Sequence, residues 1–511
     1  MLISSIFLPY LPASMQKAFG RVTSSPLAYR LAHGAFWSLL GAVIVRLLGL
    51  MSFVIVARVL GKAGYGQFGI IQSTIGMFGV FAGFGLGSTA TKYVAELREK
   101  NPERAARIMG MTGTTAIVTG IVMASALFSF APWLASNTLA DPSLAPLLRI
   151  SALTLIFEAQ NGAQIGALSG FEAFRTTAKI NMWVGLSSFP TMGLGVYLGG
   201  LEGAVWGLAV NRAFNWLLNH IALRREAGRA NIPFALRGFR QEMPVLLNYS
   251  LPAMLSGIMV SPTLWICNAL LVNQPGGYEQ MGIFQASSSL QQIIFFLGNS
   301  LSAPLLPMLA KMIGQENAQL SRLNIISTWV LGAIPAVILI GLPEIALLIY
   351  GKEFESRQFI NTFLLSIFCS SVIVYKQGLA RVLSAYGLMW WGTLSNLFWA
   401  VTMVGFTSLF IGAGAFGYAK AWVCAYVLNT ILFVPLYLKK GLVPKGTIVS
   451  IEALLIWSLL LIGIILNFMN FSVVWRLIYI PIAIIGMIWL FYRIFSNKKI
   501  LLSKDEGKGD A

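Results

Sequence analysis

Apolar residues run along most of this chain in stretches too long for strands and too uniform for helices with one wet face. A helix that crosses a bilayer needs about 20 mainly apolar residues, and that length divides the chain into about fourteen predicted spans. The first six cover residues 35–59, 66–90, 109–134, 145–170, 179–198 and 202–223. A basic stretch, 224–242, separates them from six more, at 244–272, 281–312, 323–350, 358–384, 390–411 and 414–438. Spans at 448–468 and 473–495 close the series.

The pattern repeats. Gly64-Tyr65-Gly66-Gln67-Phe68-Gly69-Ile70-Ile71-Gln72 follows the first span, and Gly277-Tyr278-Glu279-Gln280-Met281-Gly282-Ile283-Phe284-Gln285 follows the seventh. Gly, Tyr, Gln, Gly, Ile and Gln recur in one order without a gap. Weaker echoes keep nearly the same offset: Leu168-Ser169-Gly170-Phe171 with Leu383-Ser384-Ala385-Tyr386, Asn181 with Asn396, and Gly203-Ala204 with Gly414-Ala415. Equivalent helices carry them, which argues for internal duplication. The expected fold is all-α and integral to a membrane. Two six-helix lobes are related by a pseudo-two-fold along the membrane normal, with two C-terminal helices appended. The segments expected are 1–30 (cytoplasmic or interfacial, or the result of a start codon placed too far upstream), 31–226 (first lobe), 227–243 (basic linker), 244–440 (second lobe), 441–496 (last two helices) and 497–511 (tail).

Composition agrees. Of 511 residues, 57% are hydrophobic and 11% charged, against about 25% charged in soluble chains. The net charge of +18 would suggest nucleic acid in a soluble protein, but the basic residues cluster in short loops. With the N-terminus in the cytoplasm, the inside loops collect Lys92, Arg98, Lys100, Arg104, Arg107, Arg175, Lys179, Arg224, Arg225, Arg229, Arg237, Arg240, Lys311, Arg322, Lys439, Lys440, Lys445 and the basic tail. The outside loops keep little beyond Arg58, Lys62, Lys352 and Arg357. This roughly five-fold bias puts both termini in the cytoplasm by the positive-inside rule. Cys267, Cys369 and Cys424 lie in apolar segments without ligand spacing and read as core residues. A Walker A sequence is absent.

Ala57-Arg58-Val59-Leu60-Gly61 with Gly64-Tyr65-Gly66-Gln67-Phe68 resembles the first-helix signature of polysaccharide-transport proteins, the O-antigen and exopolysaccharide flippases. Gly83-Phe84-Gly85-Leu86-Gly87, leading to Lys92-Tyr93-Val94-Ala95-Glu96, resembles that family's second-helix ending. The wider superfamily also holds multidrug exporters and the lipid II flippase. The resemblance implies a bacterial inner-membrane carrier of undecaprenyl-pyrophosphate-linked oligosaccharide, with no catalytic residues and no cofactor. A proton or sodium ion would drive it, and a polysaccharide polymerase is a candidate partner. Of the first-helix charges of lipid II flippases only Arg46 matches in kind, and no acidic partner stands near it.

A charge inside a membrane helix costs about 3 kcal/mol or more, so it should face a cavity or a partner. Arg46, Arg212, Lys376 and Lys420 are the deep cations, and Glu158 is the main deep acid. An excess of buried cations suits a pyrophosphate headgroup. Arg149, Arg381 and Arg476 lie near helix ends, where snorkelling accounts for them. Asn211, Asn215 and Asn219 form one stripe that either lines a cavity or joins helices. Gln285 and Gln292 mark the eighth span as a second polar lining. Glu158 with Asn161 reads either as an ion-coupling site or, preferably, as half of a structural salt bridge with an arginine. His33 and His220 sit near the cytoplasmic surface and carry no assigned role. The alternatives to a lipid-linked sugar carrier are a drug exporter, a lipid II flippase or a membrane polymerase. An exporter of cations should show buried acids in excess; a polymerase should show a large outer loop or an acidic cluster.

Overall fold

Lipid offers no hydrogen-bond partner to a peptide group, so a spanning segment must satisfy its backbone internally. Every described secondary-structure element is helical. The computed structural model describes residues 26–232, 239–300, 318–385, 388–443, 447 and 450–496. The expectations for residues 1–25, 301–312 and 497–511, for Arg237, Lys311 and Lys445, and for the His33 side chain fall outside what is described.

The helices are α1 (Pro26–Gly83), α2 (Leu86–Leu97), α3 (Pro102–Trp133), α4 (Leu144–Gly170), α5 (Phe174–Arg229), α6 (Leu251–Gly257), α7 (Val260–Val272) and α8 (Gly277–Ser289). They continue with α9 (Gln291–Asn299), α10 (Ala318–Gly341), α11 (Glu344–Tyr350), α12 (Arg357–Ala385), α13 (Met389–Phe410), α14 (Gly414–Lys439), α15 (Ile451–Phe468) and α16 (Val473–Ser496). Nine described helical stretches are long and apolar enough to cross a membrane, and the chain is a multi-pass membrane protein.

Three of those stretches contain a reversal of the chain. Val45–Gly83 has 39 residues, Phe174–Arg229 has 56 and Trp390–Lys439 has 50; at 1.5 Å per residue even the shortest spans about 58 Å, twice the hydrocarbon thickness. Each folds back on itself. In α1 the break is Gly61 (φ 67°, ψ −176°), and it brings the Phe53 and Phe68 rings to 6.4 Å. In α5 it is Gly199-Gly200, with Gly200 at φ 56°. A Cβ on Gly203 would stand 2.6 Å from the carbonyl carbon of Gly195, so glycine at both positions lets the two arms touch through their backbones. In the third, α13 and α14 meet at Gly414 (φ 61°), and Trp399 stacks on Tyr426 at 5.3 Å. The loops predicted near residues 60–65, 199–201 and 412–413 are therefore these turns.

The second predicted span is interrupted at Phe84 and Gly85, both at positive φ, and resumes as α2. The seventh is broken between α6 and α7, just before Pro262, whose ring cannot accommodate the carbonyl one turn earlier.

The loops that carry Glu242 and Glu452 lie at one end of the bundle, called here the terminal end; the loops that carry Gly61, Gly200 and Glu344 lie at the other, the distal end. At the terminal end Arg104 and Arg107 converge on Glu242 at 3.1 and 3.3 Å, and Arg322 pairs with Glu452 at 2.7 Å. At the distal end Arg476 departs from the snorkelling expectation. It is 8% exposed and bonds Glu344 at 2.6 Å and Asn467 Oδ1 at 3.0 Å. The acid on α11 explains this: a paired guanidinium need not reach for water.

Candidate functional site

The two copies of the repeated motif pack against each other across the seam between the two halves of the chain. A Cβ on Gly66 would stand 2.9 Å from the Gly282 nitrogen and would overlap the Tyr278 carbonyl. A Cβ on Gly282 would stand 2.8 Å from the Lys62 carbonyl carbon. Glycine is required here because α1 and α8 touch through their backbones. Gln285 lies beside Gly69, 3.4 Å from where a Cβ would be. Around this contact Arg58 donates to the Ile349 and Leu348 carbonyls at 2.8 and 2.6 Å, closing the C-terminal end of α11. The Lys62 backbone N–H donates to Glu353 at 3.0 Å, and Tyr278 donates to the Leu139 carbonyl at 2.7 Å. Burial, with the Asp141 charge behind it, raises the Tyr278 phenol well above its ordinary pKa, so it stays a donor. The distal end of the seam is closed.

Further along the seam α7 lies against α1: Trp265 donates to Thr74 at 3.0 Å and Asn268 to Ser73 at 2.8 Å. Arg46 reaches across from α1 to α9, its guanidinium carbon 4.7 Å from the centre of the Phe296 ring. Among the described residues Arg46 has no hydrogen bond and no carboxylate partner. This is a cation–π contact that holds the arginine without neutralising it.

The other candidates do not join Arg46 in one cluster. Arg212 is half-buried, and its side chain makes no hydrogen bond or ion pair among the described residues. Lys376 donates to Asn429 and faces the Tyr426 ring at 5.6 Å, all within the second half. Lys420 is exposed and lies over Phe416 at 4.2 Å. Gln292 is exposed. The asparagine stripe acts as a joint between helices: Asn219 donates to Asn161 at 3.1 Å and Asn215 at 2.8 Å, and Asn211 to the Val184 carbonyl at 3.2 Å. Asn161 donates to the Arg212 carbonyl at 3.3 Å, so its amide is spent on packing rather than on Glu158.

Glu158 enters no ion pair among the described residues, which departs from the preferred salt-bridge expectation. Its Oε2 is buried without a partner, and its carboxyl carbon lies 3.9 Å from where a Cβ on Gly79 would stand.

Sequence reasoning also missed two arginines. Arg58 was counted as a loop charge, although its place inside the Ala57–Gly61 motif was a signal. Arg381 departs from the snorkelling expectation: it bonds Asn324 at 3.0 Å, Asn299 at 3.1 Å and Thr328 at 2.8 Å, within the second half of the chain.

The site thus lies in a multi-helix membrane bundle whose two copies of the repeated motif face each other across a seam. Residues 31–313 match the family described as polysaccharide biosynthesis protein, more than half of the chain, and the chain belongs to that family. It is 25% identical over 290 residues to the lipid III flippases of Escherichia coli and Shigella flexneri, covering 55% of this chain and 68% of theirs. It is also 25% identical over 268 residues to the EPS I polysaccharide export inner membrane protein of Ralstonia nicotianae, covering 52% of this chain and 60% of that one. In fold it is similar to the lipid II flippase MurJ in an inward closed conformation (TM-score 0.69, 16% identity, 90% of this chain and 100% of that one). An inward-facing multidrug resistance MATE transporter of the MOP superfamily gives a TM-score of 0.62 at 16% identity, over 78% and 98% of the chains. The resemblance drawn from the Arg58 and Gly83 motifs is thus borne out at the level of the family.

Proposed function

We propose that this chain carries an undecaprenyl-pyrophosphate-linked oligosaccharide from the cytoplasmic to the outer leaflet, between residues 31–226 and 244–440 acting as two rocking lobes. The observation that carries the reading is Arg46, a cation at the seam with an aromatic ring beside it and, among the described residues, no acid. A pyrophosphate entering the seam supplies the charge that the described residues do not, in surroundings where attraction is stronger than in water. Arg212 is the second cation available to it; Lys376 and Lys420 lie on the far half, Lys376 already engaged. Both termini face the cytoplasm in this reading, so the closed distal seam faces outward. The chain works without a catalytic step of its own. Glu158, half-buried with its Oε2 left unpartnered among the described residues, is the site proposed to bind the coupling proton or sodium.

Membership of a polysaccharide family and relatives named as flippases and export proteins support this reading. Deleting the gene should remove surface polysaccharide and strand lipid-linked repeat units on the inner leaflet. Unchanged polysaccharide together with lost dye efflux would overturn the reading in favour of a drug exporter.

A further inference from the structure

On the outer flank of the first half, away from the seam, α3 and α4 leave a groove of about 520 Å³. Ile121, Ser125, Phe128, Leu153 and Ile156 line it, and Arg149 stands at its distal mouth. Arg149 is exposed. Its one described contact is with the Phe128 ring, 5.1 Å away, and it has no hydrogen bond or ion pair among the described residues. Five residues into α4, it lies about 8 Å below the helix start. Exposed Phe130 and Trp133 mark the membrane interface at the same end. The seven steps along the helix from Arg149 to Ile156 give the groove a depth of about 10 Å, some two-thirds of one leaflet's hydrocarbon.

We infer that this groove is a binding site for one anionic phospholipid, with its phosphate on Arg149 and an acyl chain against Ile121, Leu153 and Ile156. An arginine at this depth with no anion among the described residues is complemented by a lipid phosphate. The groove opens on the lipid side, where bilayer lipids are the molecules at hand. A single guanidinium matches the single charge of a phosphodiester, rather than a pyrophosphate.

The test is lipid retention by the purified full chain, read by native mass spectrometry during titration with phosphatidylglycerol or phosphatidylcholine. Wild type should retain phosphatidylglycerol preferentially. Arg149→Ala should weaken that retention about five-fold, the effect of one basic group near a lipid phosphate, and Arg149→Lys should restore most of it. Ser125→Trp, at an exposed position, should fill the groove and lower retention of both lipids. Equal retention by wild type, Arg149→Ala and Ser125→Trp would overturn the assignment. So would tighter Arg149-dependent retention of undecaprenyl pyrophosphate, which would make the groove a substrate site.

Discussion

Gly282→Ala is the most direct probe of the closed seam. The new methyl would stand 2.8 Å from the Lys62 carbonyl carbon and 3.1 Å from its Cα, where carbon contacts need about 3.5 Å. The methyl would also overlap the Lys62 carbonyl oxygen; the obstacle is backbone, so no rotamer change removes it, and α8 must move from α1 by about an ångström. Overpacking of this kind costs about 1–3 kcal/mol. If the contact exists only in the distally closed state, the whole cost falls on that state and shifts the open-to-closed ratio by about five- to hundred-fold. Met281, 1% exposed and 3.3 Å from where a Cβ on Gly69 would stand, is the reporter. In a variant lacking Cys267, Cys369 and Cys424, a cysteine at position 281 should react with a membrane-impermeant maleimide faster by that factor when Gly282→Ala is added. Gly66→Ala, which meets α8 from the other side, should act alike. Unchanged labelling in both, with normal expression and melting temperature, refutes the idea that this glycine contact sets the closed state. A fall in melting temperature without faster labelling would place the cost on the whole fold instead.

Other outcomes follow from the same geometry. Arg58→Ala removes two donors to the Leu348 and Ile349 carbonyls and should speed labelling at position 281 several-fold, at about 1–2 kcal/mol. Arg46→Ala and Arg212→Ala should each lower flipping measured in vesicles with expression retained; full activity in both removes them from the substrate path. Glu158→Gln keeps shape and size, and should leave the protein folded while abolishing the response of transport to an imposed proton or sodium gradient; an intact response would falsify its coupling role. Asn219→Leu unties α4 from α5 and should lower thermal stability by about 1 kcal/mol with little change in substrate affinity.

The spans were legible because lipid imposes one rule on every segment, and a run of apolar residues satisfies it in only one way. The turns at Gly61, Gly200 and Gly414 were legible too, since each interrupts such a run with a glycine at positive φ. Polar residues resisted reading because their partners come from distant segments. Nothing near Arg476 in sequence announces Glu344, 132 positions away. The spacing of Asn211, Asn215 and Asn219 fixes a face of the helix but not what that face meets. Only Asn161, 58 residues upstream of Asn219, decides for a joint. Glu158 shows the converse: its chemistry follows from what its surroundings lack, an ion-pair partner among the described residues.

The last two helices bear on how the protein moves. Asn467 of α15 donates to the Ile340 carbonyl at 2.8 Å, Arg476 of α16 grips Glu344, and Trp457 packs on Trp329 at 4.6 Å. All these anchors belong to the second half of the chain, so α15 and α16 travel with it as ballast. In the proposed rocking, a fluorophore on α16 therefore reports the position of the second half rather than of the last two helices alone.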